Sequence, residues 1–383
     1  MTVEGPRAAQ VDELEAVVDL ANRVFRPREQ AMGEEFPLLF CPENLDNLRV
    51  FVDDGRPVSH VGMIERDLVL GGTRHRCGEI GAVCTDSDYR GQGLATRLVH
   101  DAREKAVRDG VDIFLISGAR RLYRRQGYVG VGDYGTYTVT RKKLPERGPF
   151  TVRSWQPEDV PALVRLNAGE PVRFVRPPDD LRAFLGTGRV VNMRGDVKVV
   201  CRKDGTPVAY VAHWNPGEHD LGDQAVAIRE IAGSRAAITA ALPALFDEHD
   251  LNKVLLDYLG CDLELRALAA RHGWPSEARA FHGTVGIIDP RAFWRACTPL
   301  FEELLGAETV ARMHCFCSDE AVKLGLDDEQ LTLPDMQSFT RLVFLRSEDR
   351  DELELDLSDG SELRGLLDTL FPLPLVSYGL NFI

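Results

Sequence analysis

Hydrophobic residues recur at helical spacing in the segment that follows position 93, and this spacing predicts a helix that stops at Gly110. One side of this helix is formed by Leu94, Leu98, Val99, Ala102 and Ala106. A continuous apolar run, Ile80–Cys84, lies ahead of it and predicts a buried strand. The connection between strand and helix reads YRGQG, residues 89–93.

The rest of the first 145 residues alternates between helical and strand-like patterns. An amphipathic helix is predicted over Val11–Phe25, and a short helix around Arg120–Arg125. Further strands are predicted over Leu48–Val52, Val58–Leu70, Ile113–Ser117 and Tyr134–Thr140.

From about residue 150 the same order of elements begins again. The predicted strands and helices are Val197–Cys201, Val208–Trp214, Ala225–Ile231, the helix Arg235–Glu248, the strand Lys253–Tyr258 and the helix Leu263–His272. After Ile231 the sequence reads AGSRAAITAAL, so the paired glycines of the first part are missing there. We interpret the second part as a duplicated fold whose copy has lost its phosphate site.

A polar stretch over residues 142–149 is predicted to be a linker. A third part contains a helix at Arg291–Leu305 and several short alternating segments. The predicted domains are therefore residues 1–147, 148–288 and 289–383, in a mixed α/β chain. At 383 residues the chain is too long for one ordinary hydrophobic core, which also favours two or three domains.

The glycines of the YRGQG stretch suggest a particular chemistry. Gly91 and Gly93 permit positive φ angles and close approach by a ligand. A strand, a glycine turn and a helix N-terminus together aim backbone N–H groups at one point. This geometry suits an anion, most readily a phosphate.

Composition narrows the functional classes. The net charge of −14 argues against nucleic acid as a partner and is compatible with a cationic small molecule. No apolar run is long enough for a membrane span, and the N-terminus lacks the apolar core of a secretory signal, so no membrane partner is expected. Eight scattered cysteines favour reduced thiols and a cytoplasmic location. The segment His314–Cys317 lacks a second ligand pair at zinc spacing, so we expect no metal.

Arg90-Gly91-Gln92-Gly93-Leu94-Ala95 resembles the acetyl-CoA loop of the GNAT superfamily of N-acetyltransferases. A Rossmann-type dinucleotide loop would need a third glycine where Thr96 stands. The segment LYRRQGYVGVG also resembles a GNAT motif. The resemblance implies acetyl-CoA as co-substrate, with a pantetheine arm along the backbone of Val83 and Thr85. The implied cofactor-binding residues are Val83, Cys84, Thr85, Arg90, Gly91, Gln92, Gly93, Leu94, Ala95, Thr96, Ser117 and Gly118.

The three-part plan resembles the Eis-type acetyltransferases. That resemblance implies two tandem GNAT domains, of which the second is degenerate, followed by a C-terminal domain like sterol carrier protein. It also implies a homo-oligomer, typically a hexamer, and acceptors that are amines of small polycations, including aminoglycosides. The family's catalytic tyrosine, which protonates the leaving thiolate, matches Tyr123, and its C-terminal carboxylate base matches that of Ile383. Tyr128 and Tyr134 are expected in the core or at the rim.

The base has two candidates. Many single-domain GNAT enzymes have a glutamate at the position of Glu79, and strand alternation predicts Glu79, Gly81, Val83 and Thr85 on one face. The alternative for Glu79 is a salt-bridged glutamate at a strand end. The tail FPLPLVSYGLNFI is unusually apolar, so its burial would carry the carboxylate of Ile383 inward. A closing strand of the third domain would explain the same apolarity.

Three functions fit these patterns. The first is an Eis-type N-acetyltransferase that acts on a primary amine of a small acceptor. The second is a GNAT enzyme that acetylates a protein lysine or N-terminus. The third is a non-catalytic regulator that binds acyl-CoA or lipid. The glycine loop and Tyr123 favour an enzyme, and the bulk of three domains favours a closed small-molecule pocket over an open protein groove.

Overall fold

The structure is a computed structural model that describes residues 3–318, 321–358 and 360–383. Its strands, in chain order, are β1 (Glu4–Ala8), β2 (Leu48–Asp53), β3 (Arg56–Leu70), β4 (Thr73–Thr85), β5 (Ile113–Ile116), β6 (Tyr134–Thr140), β7 (Thr151–Ser154), β8 (Val172–Phe174), β9 (Arg189–Val190), β10 (Met193–Cys201), β11 (Pro207–Trp214), β12 (Ala225–Gly233), β13 (Lys253–Leu259), β14 (Ser276–Arg279), β15 (Thr284–Ile287), β16 (Met313–Cys317), β17 (Val322–Leu326) and β18 (Glu329–Leu333).

The helices are α1 (Leu14–Phe25), α2 (Met32–Glu35), α3 (Leu94–Arg108), α4 (Arg121–Arg124), α5 (Val160–Ala168), α6 (Pro178–Gly186), α7 (Arg235–Glu248), α8 (Leu263–His272), α9 (Pro290–Leu305), α10 (Ala307–Arg312), α11 (Met336–Phe344) and α12 (Glu362–Leu370). None of them combines the length and the apolar character that a membrane crossing requires, within the ranges just given.

Contacts group the chain into two compact units. The first unit contains the residues up to Val131, then His282–Leu373, and Ile383. The second unit contains Gly132–Phe281 and Pro374–Phe382. The chain therefore leaves the first unit before β6 and returns to it before β15. The domain limits after residues 147 and 288 remain a prediction, and β6 pairs with strands of the second unit although we predicted it as part of the first domain.

The first unit is built on a sheet with strand order β1-β2-β3-β4-β5-β15. Within it β4 and β5 are parallel, whereas β3 and β4 form a long antiparallel pair. The apolar side of α3 packs on this sheet in one hydrophobic cluster with Val61, Met63 and Ile80. All five residues predicted to form that side of α3 are buried, which confirms the helical periodicity.

A β-bulge interrupts β4 at Ala82, one residue before the segment Val83–Thr85. Gly62 on β3 faces Gly81, and His60 faces Cys84, so β4 contains one more residue than β3 between these two pairs. Ala82 adopts a φ of +51°, which is unusual for a residue with a Cβ. An extra residue reverses the side chains that follow, because side-chain direction alternates along a strand.

The second unit repeats this arrangement. Its sheet has the order β14-β6-β13-β12-β11-β10-β7, and β12 and β13 are the parallel pair. Helix α7 connects β12 to β13, as α3 connects β4 to β5, and its apolar residues pack in a core with Val226, Ile228 and Val254. The duplicated order of elements predicted from the sequence is therefore present in the fold.

The first unit also contains a small antiparallel sheet, β16-β17-β18, with α9 beside β16 and with α10–α12. A buried polar cluster ties α9 to the large sheet, since His75 on β4 lies 2.8 Å from Asp112 and 3.7 Å from the thiol of Cys297 on α9. Helix α9 is thus packed on the sheet of the first unit that also carries the glycine loop.

Candidate active site

The strands β4 and β5 separate before β4 reaches the glycine loop. Their parallel pairing runs from Cys77 and Ile113 to Ile80 and Ile116, and the amide of Ser117 still donates to the carbonyl of Ile80 at 3.1 Å. The bulge at Ala82 then turns β4 away. The backbone of residues 83–85 remains paired with β3 on one side and faces a pocket on the other.

This pocket has a volume of about 440 Å³ and lies entirely within the first unit. It is lined by Val24, Val83, Cys84, Thr85, Tyr89, Arg90, Gly91, Gly93, Leu94, Ala95, Thr96, Arg120 and Leu122. Nine of the twelve predicted cofactor-binding residues are in this set. Gln92, Ser117 and Gly118 are not among the lining residues; Gly118 instead packs beneath the ring of Tyr123.

Sequence reasoning did not select Val24, Tyr89, Arg120 and Leu122 as site residues. Tyr89 directly precedes the glycine loop, and Arg120 and Leu122 lie close to Tyr123 in the sequence. This nearness to a motif was the only sequence signal that could have identified them. Val24 lies in the last turn of α1, where the periodicity indicated only a core position. Its place in the pocket depends on how α1 packs beside β4, which no local pattern encodes.

The glycine loop has the backbone that a phosphate cradle requires. Gly91 and Gly93 have φ angles of +79° and +75°, and the space where a Cβ would lie is open at both. Gly93 is the residue from which α3 begins, and the amide of Arg97 donates to its carbonyl at 3.1 Å. The first amides of α3 therefore point toward the pocket.

The charges around the loop favour an anion. Arg90 and Arg120 line the pocket, and the first turn of α3 consists of Leu94, Ala95 and Thr96, which carry no negative charge. The partial positive charge of the α3 N-terminus adds to that of the two arginines. The charges around the pocket therefore suit an anion such as a phosphate.

Tyr123 stands at the start of the chain segment after β5. Its side chain is 4% exposed, and a Cβ on Gly118 would lie 3.2 Å from its ring. Burial raises the pKa of Tyr123 to about 12, against a lowering effect from Arg120, and Cys84 raises it further. Tyr123 is not among the residues that line the pocket, although Leu122 beside it is. Its raised pKa keeps the phenol protonated at neutral pH.

Ile383 lies against the bulge. A Cβ on Gly81 would be 2.6 Å from its carboxyl carbon and 2.7 Å from a carboxyl oxygen, and the residue is 5% exposed. Gly81 is therefore required by this packing, because any side chain would displace the terminal residue. The tail predicted to fold inward is buried, and Ile383 belongs by its contacts to the first unit.

Glu79 also lies close to the bulge, but its carboxylate forms an ion pair with another side chain. Its side chain is fully buried, and its carboxylate lies 3.3 Å from the Nε of Arg66 on β3. The prediction that Glu79, Gly81, Val83 and Thr85 share one face is wrong. The bulge leaves Glu79 and Gly81 together with Cys84, whereas Val83 packs in the cluster beneath α3 and Thr85 contacts Ser59 at 2.8 Å.

In the second unit, the position that corresponds to the glycine loop is filled by side chains of that unit. Ser234 caps α7, and Glu170 accepts from the amide of Gly233 at 2.7 Å. Arg235 is held between Glu170 and Asp262. A second pocket of about 270 Å³ lies here, and its three carboxylates, those of Glu170, Asp262 and Glu264, outweigh the charge of Arg235 and would repel a phosphate.

Residues 6–130 match the family model of the acetyltransferase (GNAT) domain. An aminoglycoside 2'-N-acetyltransferase of Mycolicibacterium fortuitum is 31% identical over 125 residues, which are 30% of this chain and 56% of that protein. The chain therefore spans only about half the length of this curated relative. The first part of the chain is a GNAT acetyltransferase domain.

Solved structures resemble the whole chain. A GCN5-related N-acetyltransferase from Anabaena variabilis has a TM-score of 0.68 at 14% identity, with both chains covered to 100%. Eis1 from Mycobacterium abscessus has a TM-score of 0.62 at 14% identity and covers 98% of this chain and 99% of its own. The chain has the fold of Eis1, so the predicted Eis-type resemblance and the mixed α/β fold class are confirmed.

We predict that Gly93→Val abolishes acetyl-CoA binding. Valine is strained at a φ of +75°, and its side chain would occupy the open space above the loop. Isothermal titration calorimetry with acetyl-CoA should give one site per wild-type chain and none in the variant. Only one site is expected because Glu170 and Asp262 take the place of a phosphate in the second unit.

The matched control is Gly55→Val. Gly55 has a φ of +71°, also with open space around it, but it lies in the exposed turn between β2 and β3. This change imposes the same backbone strain outside the pocket and should leave the affinity unchanged. Wild-type affinity in the Gly93 variant, or two equivalent sites in the wild type, would contradict the assignment.

Proposed function

We propose that the protein is an acetyl-CoA-dependent N-acetyltransferase whose acceptor is a primary amine of a small cationic molecule, with aminoglycosides as the first class to test. The observation that carries the proposal is the pocket beside the glycine loop. It is also lined by Leu122, the residue before Tyr123, and by Val83 and Cys84, which follow the bulge that contacts Ile383. The aminoglycoside acetyltransferase that the first domain resembles supports the acceptor class. The net charge of −14 favours a cation over an anion.

The reaction needs a proton donor and a proton acceptor. The amine nitrogen attacks the thioester carbonyl, the new C–N bond forms, and the C–S bond breaks to release the thiolate of CoA. We propose that Tyr123 protonates this thiolate, since its raised pKa keeps the phenol protonated. We propose that the carboxylate of Ile383 takes the proton of the attacking amine.

Position favours Ile383 over Glu79 as the base. Both candidates are carboxyl groups, so the type of group does not distinguish them. Glu79 is fully buried and paired with Arg66, so its charge is already used in a structural ion pair. Ile383 lies at the bulge, where β4 turns toward the acetyl-CoA pocket.

The proposal is tested by a screen of amines with acetyl-CoA, read by release of the CoA thiol. Aminoglycosides and linear polyamines should react, with kcat/KM well above that of lysine peptides. A chain that acetylates only peptides would be the protein acetyltransferase. A chain that binds acetyl-CoA at one site but transfers to none of these amines would be the non-catalytic regulator.

Deletion of Phe382 and Ile383 is predicted to lower kcat by about 100-fold or more, because loss of a general base typically costs that much. The carboxylate would retreat by about 7 Å along an extended chain. The affinity for acetyl-CoA should not change, since neither residue lines its pocket. Steady-state kinetics and calorimetry measure the two quantities.

The matched comparison is Glu79→Gln. This change leaves the Arg66 guanidinium without its counter-charge and should lower the melting temperature, as loss of one partner of a buried ion pair usually does. Its kcat, measured on folded protein, should stay within about threefold of wild type if Ile383 is the base. Inactive Glu79→Gln with a fully active truncation would move the base to Glu79.

Tyr123→Phe is predicted to lower kcat by about 100-fold with little effect on acetyl-CoA affinity, since the acid is lost while the ring remains. In the wild type, kcat should not decline from ionisation of Tyr123 below pH 10, because the acid form persists up to its pKa of about 12. The pH dependence of kcat from pH 6 to 10 checks this.

Tyr128→Phe is the control for Tyr123→Phe, because Tyr128 is a buried tyrosine of the same segment, stacked on Phe114. Its removal should change kcat by less than about threefold, as expected for a core substitution of similar volume. Equal losses in both variants would assign Tyr123 a packing role.

We also propose that the protein is a homo-oligomer, with a hexamer as the form implied by its Eis-type plan. The second unit has its own complete core and no phosphate site, so assembly would give it a role. Light scattering at micromolar concentration should report several chains per particle, and a monomer would overturn this part of the proposal.

A further inference from the structure

One fully buried histidine of the first unit has no hydrogen-bond partner among the residues that the structure describes. His60 on β3 has no exposed surface, and neither of its ring nitrogens forms a hydrogen bond. Burial lowers the pKa of His60 to about 3, against a raising effect of the backbone of Arg49. The imidazole is therefore neutral at physiological pH and has one unpaired N–H donor and one unpaired acceptor nitrogen.

A second buried histidine of the same sheet shows the contrast. His75 on β4 is 1% exposed, and its Nδ1 lies 2.8 Å from Asp112 while its Nε2 lies 3.0 Å from the hydroxyl of Thr73. A buried polar group without a partner costs stability, and an apolar side chain of similar size would avoid this cost. The unpartnered ring of His60 is therefore better explained by binding than by packing.

His60 lies on the face of the sheet that α3 does not cover. Val61 and Met63 belong to the hydrophobic cluster beneath α3, so strand alternation directs His60 and Gly62 to the opposite face. The Cα partner of His60 on β4 is Cys84, which lines the pocket beside the glycine loop. The imidazole is thus one strand away from the wall of that pocket.

A pair of glycines separates the imidazole from the terminal carboxyl group. Gly62 and Gly81 are Cα partners, so they lie about 4.5–5.5 Å apart. A Cβ on Gly62 would be 3.2 Å from Nε2 of His60, and a Cβ on Gly81 would be 2.6 Å from the carboxyl carbon of Ile383. The two groups therefore lie over adjacent strands on one face, and the two residues between them contribute no side chains.

We propose that His60 is a specificity-determining residue that hydrogen bonds a second polar group of the acceptor while the acceptor amine reacts beside Ile383. A hydroxyl or amino group can pair with a nitrogen of a neutral imidazole, whereas an alkyl chain cannot. The acceptor class is thus a small amine that carries a hydroxyl or a second amine near the reacting nitrogen, as amino sugars do. This inference rests on the proposed function.

The imidazole is covered by a turn. A Cβ on Gly62 would be 2.9 Å from a methyl carbon of Leu39, and the ring of Phe40 has its centroid 5.8 Å from that of His60. Residues 37–41 form turns and bends that belong to no helix or strand. An acceptor reaches His60 by displacing this turn, which interrupts no regular secondary structure and is the least costly opening.

The test is His60→Leu, which removes both ring nitrogens and keeps a similar volume. His60→Gln is the companion variant, because glutamine restores a donor and an acceptor. The matched control is His75→Leu, since His75 is buried in the same sheet but has its partners. The readouts are transfer kinetics with acetyl-CoA and kanamycin, calorimetric titration with acetyl-CoA, and thermal melting.

In His60→Leu we expect the KM for kanamycin to rise at least tenfold, with kcat within about threefold of wild type. The affinity for acetyl-CoA should not change, because His60 does not line its pocket. The melting temperature should be equal to that of wild type or higher, since two unpaired polar atoms leave the core. His60→Gln should return the KM to within about threefold of wild type.

The control should behave in the opposite way. His75→Leu leaves Asp112 without its partner and should melt several degrees below wild type, with the KM for kanamycin unchanged. This contrast separates a histidine that stabilises the sheet from one that binds the acceptor.

Three results would overturn the proposal. An unchanged KM for kanamycin in His60→Leu would exclude His60 from the acceptor site. A melting temperature of His60→Leu several degrees below wild type would show that the ring is already satisfied in the free protein. A raised KM that His60→Gln does not restore would assign His60 a role in shape instead of hydrogen bonding. Failure of the proposed function would show differently, as absence of acetyl transfer to any amine in the wild type.

Discussion

The candidate site depends on the β-bulge at Ala82. Without the extra residue, β4 would continue parallel to β5, and its edge would be filled by ladder hydrogen bonds. The bulge ends this pairing at Ile80 and leaves residues 83–85 facing the pocket. It also places Gly81 where only a residue without a side chain allows Ile383 to approach. One backbone irregularity therefore creates both the edge of β4 that faces the pocket and the place where Ile383 packs.

The two copies of the fold show how charge decides which of them can hold a phosphate. Both place a helix N-terminus after a strand that has a parallel neighbour. In the first, arginines and uncharged residues surround that terminus. In the second copy, Glu170 and Asp262 neutralise the charge of Arg235, and Glu170 also accepts from the amide of Gly233. The same fold thus has a pocket that suits a phosphate in one copy, and side chains that exclude a phosphate in the other.

Much of the site could be predicted from local patterns, since the glycine loop, the helix after it and Tyr123 are contiguous motifs. Nine of the twelve predicted cofactor-binding residues line the pocket, whereas Tyr123 is not among its lining residues. The bulge could not be predicted, because Ala82 carries none of the usual marks of a positive φ, and so Val83 and Thr85 were placed on the wrong face. Strand alternation holds only while the register is regular.

Pairing between residues far apart in the sequence was the other feature that the sequence patterns could not predict. Strand β6 was predicted with its correct ends, yet it joins the sheet of the second unit, and β15 joins that of the first. The partner of Glu79 and the ion pair of Arg176 with Glu230 join residues far apart in sequence. Such contacts depend on the assembled sheets, and short-range periodicity carries no information about them.

We propose that the free edge of β4 receives acetyl-CoA in the first copy alone. Amide hydrogen exchange, read by mass spectrometry with and without acetyl-CoA, tests it most directly. We expect acetyl-CoA to slow amide exchange in peptides covering residues 83–96. The exchange of peptides covering residues 225–240 should not change. Protection confined to 225–240, or an unchanged exchange rate in 83–96 at saturating acetyl-CoA, would contradict it.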